Sequence, residues 1–216
     1  MQKIMQLLSN PSWFKIHKHI VCFVLMSSLH SLAFEPISGS SQLLDPKEID
    51  TSGYLQFLPS EINFIAELAH ATPYREVNTR HFIGLGGAGF LIGSFIKWIP
   101  FPDYRYQPAL GTALGASYNW FDSQTHYMNV HFHPSISKVI ETGIGDIIPY
   151  LTLPFSMKIK NLKEFEFPLK ITFGLRAELV FIHAHKVEVV SEISMNLVKP
   201  IFSAFNIGVI SPWPWM

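Results

Sequence analysis

Residues 169–181 read LKITFGLRAELVF, and the reading of the whole chain turns on them. Leu169, Ile171, Phe173, Leu175, Ala177, Leu179 and Phe181 alternate with Lys170, Thr172, Gly174, Arg176, Glu178 and Val180. An apolar odd face against a mainly polar even face has a period of two, which marks a β-strand rather than a helix. After the break at His183-Ala184-His185 the pattern resumes, with Val187, Val189, Ile193, Met195 and Leu197 against Glu188, Glu192, Ser194 and Asn196. A third run follows Lys199-Pro200, where Phe205, Ile207 and Val209 alternate with Asn206 and Gly208. Tilted strands of about 9–11 residues with one apolar face suit a membrane-spanning barrel, whose outside meets lipid and whose interior holds polar groups.

Composition points the same way. The chain has 216 residues, enough for one domain, and 48% of them are hydrophobic while only 15% are charged, against roughly 25% in typical soluble domains. Lys+Arg and Asp+Glu are both 16, so no charge excess favours nucleic acid or an acidic partner. Abundant apolar residues with a single helix-like apolar run imply that the apolar surface is dispersed over strand faces.

That single run lies at the N-terminus. Lys3, Lys15 and Lys18 precede an apolar stretch from Ile20 to Phe34, and Ser31-Leu32-Ala33 offers small residues for cleavage. The run is shorter than the roughly 20 residues of a spanning helix and is interrupted by His30 and serines, so it reads as an export signal. The expectation is a signal peptide over 1–33, cleaved after Ala33. Cys22, the one cysteine, would leave with it, which excludes disulfide or thiol chemistry in the mature protein. Residues 34–53, with Pro36, Gly39, Pro46 and Gly53, read as a mobile mature N-terminus, and 54–216 as the barrel.

Upstream of the deciding stretch, Ile62, Phe64, Ala66 and Leu68 alternate with Glu61, Asn63 and Glu67, giving a first strand over about 61–69. The polar segment 70–80 reads as a loop. A second strand is expected over 81–96, although it contains Gly84-Leu85-Gly86-Gly87-Ala88-Gly89, formally GxGxxG. The dinucleotide-binding reading fails on context, because no βαβ pattern surrounds it and Asp103 follows too soon. Further strands fit 109–121, 125–135 and 147–160, and with 167–182, 186–198 and 201–210 the count is eight. Residues 136–146 stay open between a long turn and a strand extension. Trp98, Tyr104 and Tyr106 cluster as in an interfacial aromatic girdle.

On these patterns, residues 54–216 resemble the small eight-stranded outer-membrane proteins of Gram-negative bacteria. The resemblance implies an antiparallel transmembrane β-barrel in the outer membrane, in contact with its lipid and inserted by the barrel-assembly machinery. Such proteins close on an alternating strand that ends in an aromatic residue. Phe205, Ile207, Val209, Trp213 and Trp215 keep that parity here, with departures at Pro212, Pro214 and Met216.

Three constellations could carry chemistry. His131, His133 and Ser135 share one strand face, and an acid such as Glu141 could orient the base of a hydrolytic set. The His133-Pro134-Ser135 run is similar to the His-x-Ser of outer-membrane lipid A deacylases, but Ile136 stands where that family has Asn. His131 and His133, with His183 and His185, form two His-x-His units of the kind that hold zinc or copper. Their strands are not neighbours in the expected order, so no shared metal site and no cofactor is expected. Lys170, Arg176, Glu178, Glu188 and Glu192 lie on the polar even face, and a three-residue loop at 183–185 would set Arg176 opposite Glu192. Paired charges filling a narrow lumen are the default for such a face.

The reading is therefore a non-catalytic outer-membrane barrel with a structural, adhesive or small-solute-binding role. The alternatives are a lipid-directed hydrolase using His133 and Ser135, a narrow porin-like passive channel, and a secreted soluble barrel whose odd face packs on protein.

Overall fold

The computed structural model describes Ile37, Gly39, Leu44 and residues 48–214, except Ala88, Ser123, Ile144 and the stretches 181–185 and 198–200. The proposed signal peptide lies outside the described residues. The strands are β1 Glu48–Phe57, β2 Ile62–Ala71, β3 Val77–Gly86, β4 Gly89–Phe101, β5 Ala109–Trp120, β6 His126–Ser137, β7 Ile140–Thr142, β8 Gly145–Thr152, β9 Phe155–Lys160, β10 Glu164–Glu166, β11 Lys170–Val180, β12 Lys186–Asn196 and β13 Ile201–Pro214. Every strand pairing is antiparallel, and β1 pairs with both β2 and β13. On the other side β6 pairs with β8 and β9, while β8 also pairs with β11, so the sheet closes on itself.

Several short pieces are continuations of one another. The pairs Tyr127↔Lys160, Ser137↔Tyr150 and Ile140↔Ile147 keep one register, so β6 with β7 forms one stave and β8 with β9 the next. Glu166↔Lys158, Phe155↔Leu169 and Thr172↔Thr152 likewise join β10 to β11. Pro154 and Pro168, which lack a backbone N–H, sit at the breaks. The closed wall thus has ten staves rather than the expected eight.

Two stretches account for the difference. Residues 48–53, read as part of a mobile segment, form the first half of β1. Asp50, Ser52, Tyr54 and Gln56 are buried inward, while Thr51 and Gly53 dilute the apolar outward row, and that dilution hid the alternation. The expected strand over 81–96 is a hairpin. Gly86 pairs with Gly89 across a two-residue turn, and β3 reaches back to Val77 into the polar segment read as a loop. Gly89 has φ of 86°, and a side chain there would run into the Trp120 carbonyl, so the glycine run serves a tight turn. The ambiguous residues 136–146 prove to be strand extension into the hairpin between β7 and β8.

Outward positions carry Ile62, Phe64, Ile83, Leu85, Ile96, Leu114, Phe173, Ile193 and Val209, all exposed. Inward positions mix polar and aromatic side chains with buried aliphatic ones such as Ile65, Leu91, Ile99 and Val190. Each buried Phe or Tyr ring among the described residues lies against a glycine directly across the ladder: Tyr54 on Gly208, Phe82 on Gly93, Phe95 on Gly115 and Tyr150 on Gly174. The missing side chain lets the ring lie along the wall, which fills the lumen without pushing the staves apart.

Candidate functional site

The lumen gathers most of the buried polar side chains among the described residues, and it has two sectors. In the first, Arg80 of β3 meets Glu67 of β2 in a two-pronged contact, Nε to Oε1 at 3.0 Å and Nη2 to Oε2 at 2.5 Å. Both side chains are less than a tenth exposed. The planar guanidinium fork matches a carboxylate in this geometry. Arg176 of β11 pairs with Glu188 of β12 and lies 3.7 Å from Asp50 of β1. Glu192, 1% exposed, accepts from the Tyr150 hydroxyl at 2.6 Å, the Asn206 amide at 3.1 Å and the Gly39 backbone N–H at 2.8 Å. Gln56 extends this network to Asn206 at 3.0 Å. Lys97 is buried beside a cavity of about 40 Å³ that Asp50, Ser52 and Arg176 also line.

This arrangement corrects the expected pairing. The ladder sets Arg176 opposite Val190, Gly174 opposite Glu192 and Glu178 opposite Glu188. The register is shifted by two from the three-residue-loop prediction, because β11 ends at Val180 and β12 begins at Lys186. A shift of two preserves which face is inward. Arg176 therefore takes Glu188 and Asp50, and Glu192 takes neutral donors. Lys170 stands opposite Asn196 at one end of the same ladder.

The second sector, on β5, β6 and β9, is built mainly of neutral groups, with Lys158 of β9 opposite Asn129. His131 bridges two hydroxyls, Nε2 to Ser117 at 2.9 Å and Nδ1 to Ser156 at 2.9 Å, and Asn129 donates to Ser117 at 3.1 Å. His133 is 3% exposed, its ring is tilted against Phe95 with 5.1 Å between ring centroids, and neither of its ring nitrogens has a hydrogen-bond partner among the described residues. Ser135 donates instead to the Gly111 carbonyl at 3.3 Å, and Glu141 is exposed on β7 opposite Asp146. The structure thus does not join His133, Ser135 and Glu141 into a hydrolytic set. His131 and His133 sit at mid-depth inside the barrel, on the middle of β6, and His183 and His185 lie outside the described residues. Among the described residues no group of three or more His, Cys, Asp or Glu side chains is placed to hold a metal ion.

Sequence reasoning missed Asp50, Arg80, Lys97 and Tyr150. Asp50 and Arg80 fell in stretches read as loop, and Lys97 lay just past the expected strand. Tyr150 occupied an even, inward position that its neighbours' parity already indicated. It also missed polar pairs on the outward face. The Ser94 hydroxyl lies 3.0 Å from His81 Nδ1, and the Thr79 hydroxyl lies 2.7 Å from His70 Nε2. Each pair satisfies itself, which lowers the cost of holding polar groups in an apolar face.

No protein-family model matches the chain, and no curated protein matches it. Among solved structures it is similar to a barrel from the de novo design of transmembrane beta-barrels, with 10% identity over 80% of this chain and 100% of that one, at a TM-score of 0.39. It is also similar to the beta domain of the Bordetella autotransporter BrkA, with 8% identity over 77% of this chain and 98% of that one, at a TM-score of 0.39.

Proposed function

We propose that this chain is an exported outer-membrane barrel that works as a closed membrane anchor, with its leader removed after Ala33 and no open aqueous pore. The observation that carries the reading is the division of the wall into two faces. Ile62, Leu85, Ile96, Leu114 and Phe173 are exposed on the outside, whereas Gln56, Asn63, Asn129, Glu192 and Asn206 are almost wholly buried within. A water-soluble barrel favours the reverse, and contiguous exposed apolar surface marks contact with another apolar phase. Trp98, Phe101 and Trp213 near the end that carries Glu48 and Pro214, with Trp120 near the other, fit the two interfacial girdles.

The filled lumen supports an anchor over a channel. Rings laid on glycines and hydrogen-bonded charges occupy the interior, and the cavity beside Lys97 measures only about 40 Å³. The described connections at the end remote from β1's start, 58–61, 121–125 and 161–163, are short turns, which favours a structural role over an adhesive one. Assembly machinery and outer-membrane lipid are then the partners. Heat-modifiable mobility tests this reading. The detergent-extracted protein from the outer-membrane fraction should run faster unheated than boiled, and equal mobility would argue against a membrane barrel.

A further inference from the structure

The outward wall is dented on one side. On β2, β4 and β5 the outward face carries the small side chains Ala66, Ser94 and Ala116, whereas β11 and β12 carry Phe173 and Ile193. The small residues floor a shallow trough of about 870 Å³, walled by Leu68, Ile83, Ile92, Tyr118 and Met128. Among the described residues no carboxylate, ammonium or guanidinium projects into it. Glu67 contributes to the wall, but its carboxylate is turned inward to Arg80.

The polar groups of the trough gather at one border. Thr51, Leu68, His81 and Ser94 stand side by side in one ladder row. The Trp213 indole N–H donates to Thr51 Oγ1 at 3.1 Å, which ties this border to the girdle at the end where β1 starts. His81 meets Ser94 through Nδ1 at 3.0 Å, and its Nε2 has no hydrogen-bond partner among the described residues. When the Ser94 hydroxyl donates to Nδ1, the ring N–H lies at Nε2 and can donate outward.

The trough also has a direction. Ladder rows climb as they pass round the wall: the row that begins at Trp213 runs through His70, Ile96 and Phe132 to Leu169, at the opposite end. From Thr51 on β1 to Met128 on β6 the lining crosses five strand spacings, about 24 Å at ~4.8 Å each. With strands tilted by about 35–45° this is a rise of about 14–17 Å, half of a hydrocarbon core about 30 Å thick. His81 is two spacings in from Thr51, a rise of about 6 Å beneath the girdle.

We propose that this trough holds one ester-linked membrane glycerolipid, with an acyl chain along Ile83, Ile92 and Tyr118 and an ester carbonyl accepting from His81 Nε2. The proposal rests on the membrane-barrel reading and names the lipid group that this face selects. The lining is apolar for the depth of one leaflet and offers a neutral donor just beneath the girdle. A phosphate would call for a cation, which the trough lacks, whereas an ester carbonyl needs only a donor. Plain hydrocarbon there would leave the His81 N–H unpaired in lipid, which is costly.

Native mass spectrometry of the detergent-extracted, heat-modifiable barrel tests the proposal, with diacyl phosphatidylethanolamine and its dialkyl ether analogue of equal chain length as probes. Wild type should retain one ester lipid and hold the ether analogue about 3–10-fold less, the factor of one hydrogen bond. Ala116→Phe fills the trough from a lipid-facing position and should lower retention of both by at least about 10-fold. Ile193→Phe, elsewhere on the outer wall, should leave retention unchanged, and His81→Leu should remove the difference between the two lipids. Equal retention of both probes by wild type overturns the proposal, as does a difference that survives His81→Leu. So does equal retention by wild type and Ala116→Phe, or an equal drop in Ile193→Phe. A wild-type protein whose mobility is the same boiled and unheated would instead defeat the membrane-barrel reading.

Discussion

The two lumen sectors solve the same problem differently. Around Arg80, Arg176 and Glu192 each of these charges meets a specific partner, often through two or three bonds. Around His133 and Asn119 both side chains are buried, and neither His133 ring nitrogen nor either Asn119 amide atom has a partner among the described residues. The contrast follows from magnitudes. A buried charge stripped of its partner costs about 3–5 kcal/mol, whereas a neutral polar group left alone costs about 1–3 kcal/mol. Arg80, Arg176 and Glu192 therefore depend on their partners more than the neutral groups do, although Asp50 Oδ1 in the same sector has no hydrogen-bond partner among the described residues.

The largest expected effect comes from breaking a charge pair on one side. Glu67→Ala leaves Arg80 buried without its fork partner and should lower stability by about 3–5 kcal/mol, read from urea unfolding of liposome-reconstituted protein. The double change Glu67→Leu with Arg80→Met should cost far less. Equal losses for single and double variants would mean that packing, not charge, sets the sector's stability.

A smaller effect is expected where the sectors meet the wall. Gly174→Ala places a methyl group in the Tyr150 ring, which must move and strain its bond to Glu192. Overpacking of this kind costs about 1–3 kcal/mol. Tyr150→Leu in the same background should recover part of the loss by giving the methyl room. No recovery would show that the glycine is needed for backbone reasons.

In the neutral sector the expected change is near zero or favourable. His133→Leu removes two unpartnered nitrogens and keeps an apolar contact to Phe95, so stability should change by less than about 1 kcal/mol or rise. A loss of several kcal/mol would show that this histidine is bonded in the membrane as tightly as the charges opposite.

The smallest effect lies outside the membrane. In the turn between β5 and β6, the backbone N–H of Gln124, and then that of Thr125, donate to Asp122 at 2.7 Å each. These bonds hold its carboxyl below the usual carboxylate range. A depressed folded value means that the turn's extra order is present above the unfolded pKa and fades as pH falls through the lower folded one. Amide exchange at Gln124 and Thr125 should quicken only in strong acid, and Asp122→Asn should weaken that dependence.

Much of the wall was legible because period-two alternation survives wherever the outward row is strongly apolar, as in β5, β11 and β12. It failed in β1, where Thr51 and Gly53 break the outward row, and at Gly84–Gly89, where a hairpin turn read as a glycine-rich part of one strand over 81–96. The facing of Arg176 and Glu192 followed from parity alone, but their partners did not. Parity is blind to a register shift of two, and the length of the turn between β11 and β12 decides that shift. The Arg80–Glu67 pair joins strands that hairpin connections make neighbours, yet Arg80 was invisible while 70–80 read as loop. Gly39's place in the lumen had no local signal, since its contacts lie 41 and 153 residues away at Arg80 and Glu192.

The central claim is that the apolar outer face meets lipid, and tryptophan fluorescence tests it most directly. Trp98, Trp120 and Trp213 are each about half exposed on that face. Reconstituted into vesicles of brominated phosphatidylcholine, the protein should lose most of its tryptophan emission relative to unbrominated vesicles, and Trp120→Phe should reduce the quenchable part. Emission unchanged by bromination would contradict the account, because the outer face would then be covered by protein or water.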